Sequence, residues 1–116
     1  FEAYADLTAA ALEKMRNLEL ERARERTDRD IAIAAEIQRE LLQSAVPPQL
    51  PGFRVACHNT PAANVGGDFY RVVPHGPDEV FFAIADVSGK GISASLLMAQ
   101  TLSALEFVFA ASESPG

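Results

Sequence analysis

The chain has 116 residues, 48% hydrophobic and 22% charged, with a net charge of −6 and a pI near 4.8. This length predicts one domain. The acidic balance excludes nucleic acid and anionic membrane surfaces as charge-driven partners, because no excess of cations exists to release counterions. The charge is evenly divided, with seven basic against ten acidic residues in 1–46 and three against six in 47–116, so neither half is an acidic tail. A single cysteine, Cys57, excludes an internal disulfide framework and fits a reducing, cytoplasmic setting. No signal peptide is visible, and Glu106 interrupts the last apolar stretch, so no membrane insertion is expected of this segment. The chain opens on Phe1 and stops at Ser114-Pro115-Gly116, as an excised piece of a longer protein would.

Residues 1–46 are dominated by Ala, Leu, Glu and Arg, without Gly or Pro before Pro47, and predict a helix. Unbroken, it would run roughly 65–70 Å, too long for a small domain to pack along its whole length. Leu7, Ala11, Met15 and Leu18 lie at three- and four-residue steps, close to a coiled-coil seam. Ala34, Ile37 and Leu41 resume the pattern, widened by Ile33 and Leu42. Between them Glu21–Asp30 carries four acids and four arginines. Three readings remain open: a solvated helix held by its own i,i+4 charges, a dimerising or signal-relaying helix, or a helix broken near Thr27–Asp30.

Pro47-Pro48 and Pro51-Gly52 predict a rigid connector. Phe53–Asn59 alternates as a strand with Phe53, Val55 and a buried Cys57 on one face. After a turn at Asn59–Pro61 and a small-residue loop to Gly67, Asp68–Val73 reads as a second strand. Pro74–Asp78 is a hairpin turn, and Glu79–Val87 is a third strand, apolar enough to be buried on both faces. Ser88–Gly91 turns the chain into a largely buried helix from Ile92 to about Ala110, with Leu96, Leu97, Leu102, Leu105 and Val108. Such a set describes a half-built α/β or α+β core that needs another layer on its far side.

The chemistry concentrates on two acids. A hairpin centred on residue 77 sets Asp68 opposite Asp86, each beside a pair of glycines, Gly66-Gly67 and Gly89-Gly91. Facing carboxylates repel unless a proton or cation lies between them, and the natural cation is a hard, oxygen-ligated one, Mg²⁺ or Mn²⁺. The competing reading makes both acids turn caps. Gly89-Lys90-Gly91 fails the P-loop pattern, since its first glycine is missing and Gly91 stands where Ser/Thr is required, and Lys90 is expected in solvent. His58 and His75 have no partner at metal-binding spacing. Ser88, Ser93 and Ser95 have no base to activate them.

Three motifs then stand in order: Ala35-Glu36-Ile37-Gln38-Arg39-Glu40-Leu41-Leu42; Pro61-Ala62 with Val65-Gly66-Gly67-Asp68-Phe69-Tyr70; and Ile84-Ala85-Asp86-Val87-Ser88-Gly89-Lys90-Gly91. Together they resemble the bacterial PP2C-like, PPM-type serine phosphatases of the stage II sporulation protein E and sigma-factor regulator group. The resemblance implies an αββα sandwich around two Mn²⁺ or Mg²⁺ ions. In it Asp86 bridges both metals, the Val87 carbonyl contacts one, and Asp68 holds the same metal directly or through its water. The expected fold class is therefore α+β: a long N-terminal helix, then the first strands and first buried helix of a truncated PP2C-like sandwich. Residues 1–46 are expected to form a helical linker and 47–116 the N-terminal part of the phosphatase domain. The resemblance also implies a phosphoserine or phosphothreonine protein substrate of the anti-anti-sigma type, an upstream sensor domain in the same chain, and a homodimer. Two further aspartates of the family pattern have no place before Gly116, so the fragment alone is expected to be inactive. The alternative function is a non-catalytic dimerisation and signalling module with an incomplete phosphatase core.

Overall fold

The computed structural model describes residues 1–47, 49–50 and 52–112. Four elements follow in order: α1 (Glu2–Ser44), β1 (Phe69–His75), β2 (Glu79–Ala85) and α2 (Ile92–Ser112). The class is α+β, with β1 and β2 forming one two-stranded antiparallel sheet. Of the expected proline connector, Pro48 and Pro51 lie outside the described residues.

α1 passes through Thr27–Asp30 without a break, so the broken-helix reading falls. Packing divides the chain into two units, residues 1–32 and 33–116. Within the first, residues 1–30 are all exposed, Leu7, Met15 and Leu18 of the apolar seam included. Within the second, the last turns of α1 bury Gln38 and Leu42. The expected stripe is thus rotated: Ile33 and Ile37 stay exposed, while Ala34 and Leu41 are half-buried. Small side chains explain the rotation, because the fully buried Ala45 lets the helix end come close to β1. There the Ala45 carbonyl accepts the Val72 N–H at 2.8 Å, and Arg71 Nη1 donates to the Ser44 carbonyl at 3.0 Å. Carbonyls that a helix end leaves without partners are thereby satisfied by a strand.

The ladder runs from Phe69↔Ala85 to His75↔Glu79, so the loop is only Gly76-Pro77-Asp78 and Pro74 belongs to β1. Val72 turns its N–H outward to Ala45, and side-by-side alternation points the Pro74 nitrogen to that same outer edge, where a missing donor costs β1 nothing. The core is small. Phe69 and Met98, both under 2% or at 2% exposure, pack with Leu42 and Leu102. Burying each of the two large side chains contributes about 1.5–3 kcal/mol.

Four expectations are corrected. Phe53–Asn59 forms no strand: the outer edge of β1 is already engaged by Ala45, and Asn59 reaches it only through its side chain, so no ladder is open to the segment. Cys57 is exposed rather than buried. β2 is not buried on both faces, since Phe82 and Ile84 are 70% and 80% exposed. One sheet face carries α2. The other opens into an apolar cleft of 630 Å³ bounded by residues 53–58. α2 likewise buries only Ala94, Met98 and Leu102, a single i,i+4 stripe, and leaves Leu96, Leu97 and Val108 exposed. By length and composition α2 is apolar enough to cross a membrane. Here its Met98 stripe packs on the hairpin, and Glu106 pairs with Arg71 at 3.1 Å.

Candidate functional site

The site lies where the hairpin runs out. One residue beyond the Phe69↔Ala85 pair stand Asp68 and Asp86, and one further the Val87 N–H donates to the Gly67 carbonyl at 3.3 Å. The two acids are therefore bracketed by pairing on both sides and face each other in register. Gly67 and Val87 form a bonded pair, which makes Asp68 and Asp86 a non-hydrogen-bonded pair. That is the position in an antiparallel ribbon where side chains approach most closely.

Gly67 is required by space. A Cβ there would lie 2.5 Å from the Val87 carbonyl oxygen and 2.9 Å from the Val87 Cβ. Any other residue would push the Val87 backbone off the ribbon and Asp86 away with it. After Val87 the chain turns through Gly89 and Gly91, at φ of +118° and +74°, and the Gly91 carbonyl accepts the Ser95 N–H at 3.1 Å to begin α2. A side chain at Gly91 would meet no neighbour, but its left-handed backbone favours glycine.

Both carboxylates are exposed. A hydrogen bond to Asp86, then the negative charge of Asp86, then slight desolvation raise the Asp68 carboxyl above its ordinary 3.8. Asp68 thus holds its proton more tightly than a lone acid does, as a carboxylate beside another carboxylate is expected to. A hard cation relieves the same repulsion. The donors suit one: two carboxylates and the neighbouring Val87 carbonyl are oxygen ligands of the kind Mg²⁺ and Mn²⁺ take. Among the described residues no group of three or more His, Cys, Asp or Glu is assembled.

The other candidates stay apart. Lys90 is exposed, and His75 ends β1 in solvent. His58 Nε2 lies 2.7 Å from the Thr60 hydroxyl. Burial, then the charge of Cys57, push the Tyr70 phenol up.

Residues 76–116 match the family described as Stage II sporulation protein E (SpoIIE). Over that segment the chain is similar to the SpoIIE family. Across 77 residues it is 38% identical to phosphoserine phosphatase RsbU of Bacillus subtilis (strain 168), an alignment that covers 66% of this chain and 22% of that protein. The chain thus spans about a fifth of the length of this relative. No solved structure matches it significantly.

One residue of the first motif had no role assigned to it there. Gln38 sits on the buried face of α1 and reaches Gly66 in the loop before Asp68. The available signal was its spacing: a polar residue four positions after Ala34 and four before Leu42, on a face otherwise apolar.

Proposed function

We propose that this chain is part of a metal-dependent protein-serine/threonine phosphatase, in which Asp68 and Asp86 would hold two divalent cations, Mn²⁺ or Mg²⁺. The observation that carries the reading is the in-register meeting of the two acids, bracketed by the Gly67–Val87 pair. Similarity to the SpoIIE family and to a phosphoserine phosphatase supports the reaction class. Asp86, Asp68 and the Val87 carbonyl are the groups of this chain that would hold the ions. Such ions, when bound, supply Lewis acidity to a phosphoryl group and lower the pKa of water that attacks it. The chain's own part is to fix the carboxylates: the ribbon sets their separation, and Gly67 lets the Val87 backbone close on them.

The substrate class that fits is a phosphorylated regulatory protein of the anti-anti-sigma type, acted on in the cytoplasm within a longer PP2C-like αββα domain. The helical linker of residues 1–46, set before the phosphatase portion, relays a signal from a sensor domain and dimerises. Supporting that relay is the exposed apolar series Leu7, Met15 and Leu18 on α1. The test is hydrolysis of a phosphoserine protein by the intact protein with and without Mn²⁺. Asp86→Asn should abolish the Mn²⁺-dependent rate, and an unchanged rate refutes the assignment. A second reading, a dimerisation and signalling module without catalysis, is favoured by the exposed apolar series Leu7, Met15 and Leu18 on α1. Dimerisation with no Mn²⁺-dependent hydrolysis by the intact protein would select it.

A further inference from the structure

We propose that Gln38 is a positioning residue for Asp68, acting through Gly66; the inference rests on the metal-site reading above. Gln38 is 5% exposed, and both ends of its amide are spent on one residue. Nε2 donates to the Gly66 carbonyl at 2.6 Å, and Oε1 accepts the Gly66 N–H at 3.0 Å. The side chain thus does to Gly66 what a neighbouring strand would do, from 28 residues away in sequence. A buried amide is tolerated only with such partners, so the bond pair fixes where the loop lies.

The loop has few other fixings. Gly66 and Gly67 bring no side chains of their own. Val65 is buried before them, and after them Gly67 is tied to Val87 and the Asp68 carbonyl accepts Asn59 Nδ2 at 2.9 Å. Among these, Gln38 is the link to α1. It lies in the same packed unit as the hairpin, residues 33–116. Leu42 on the helix and Ala45 just past its end are anchored in the core and on the β1 edge. The seat of the last turns of α1 and the position of the Asp68 carboxylate are therefore one geometry. Residues that orient a metal ligand from behind commonly change metal affinity about 10–100-fold when removed.

The test measures Mn²⁺ binding to the intact protein by calorimetry for the parent, Q38L, D68N and the double variant. Gln38→Leu keeps bulk but leaves both Gly66 groups unpaired, and should weaken binding about tenfold or more. Gln38→Glu retains the acceptor for the Gly66 N–H, loses the donor, and should fall between. D68N should weaken binding by itself, and adding Q38L to it should change little, because both act on one ligand. Parent-like affinity in Q38L and Q38E, or a Q38L loss of equal size with and without D68N, overturns the positioning role while the metal site stands. Parent-like affinity in D68N overturns the metal site and this inference with it. A merely structural role would lower the unfolding temperature and give the additive result.

Discussion

The two ends of α1 share one secondary structure and have different surroundings. Residues 1–30 bury nothing, whereas the last turns bury Gln38 and Leu42 and hand their carbonyls to β1. Helix propensity acts on the first without packing from its neighbours, while the second is fixed by tertiary contacts. The difference teaches that continuity of a helix says little about where its stability comes from. The part that matters for the acid pair is the part whose face is decided by neighbours.

The largest contrast should come from truncating one side chain in each region. Leu42→Ala removes a core contact and should cost about 2–5 kcal/mol in denaturant unfolding. Leu20→Ala, on the exposed stretch, should stay within about 0.5 kcal/mol. Equal losses would break the comparison. Next is Gly67→Ala, whose added carbon meets the Val87 carbonyl and should cost about 1–3 kcal/mol. At Gly66 the nearest contact is a Pro61 side-chain carbon at 3.4 Å, so Gly66→Ala should cost less in the same unfolding experiment. The smallest effect belongs to Glu106→Gln. Its bond to Arg71 is half-exposed on the glutamate side, so the loss should be about 0–1 kcal/mol and shrink with added salt.

The hairpin was legible because its turn carries proline, glycine and aspartate between two apolar runs, and that centre alone sets Asp68 against Asp86. The α+β class followed from the same pattern. Phe53–Asn59 misled because alternation reports a pleated surface and not a free edge to pair with, and Ala45 already occupies that edge at Val72. Burial was overestimated for Phe82, Ile84, Leu96 and Val108, since apolar character states what a side chain favours and not what covers it. Gln38 was written in the sequence as a polar residue on an apolar helical face, but its partner Gly66 is fixed only by the folded loop.

Proton binding at the acid pair gives a pH dependence of definite sign. Asp68 has a raised value in the folded chain, so its contribution to stability is full below its unfolded value near 3.8 and is lost as pH rises through the folded value. Above that window the charged pair repels, and added Mn²⁺ should restore the loss and lower the Asp68 value. The most direct measurement is a carboxyl-carbon NMR titration of Asp68 in the intact protein, metal-free, with and without Asp86→Asn. A value above 3.8 in the parent that falls back toward 3.8 in the variant is the outcome expected of two acids in one site. The same value in both would mean that Asp68 and Asp86 do not share a site.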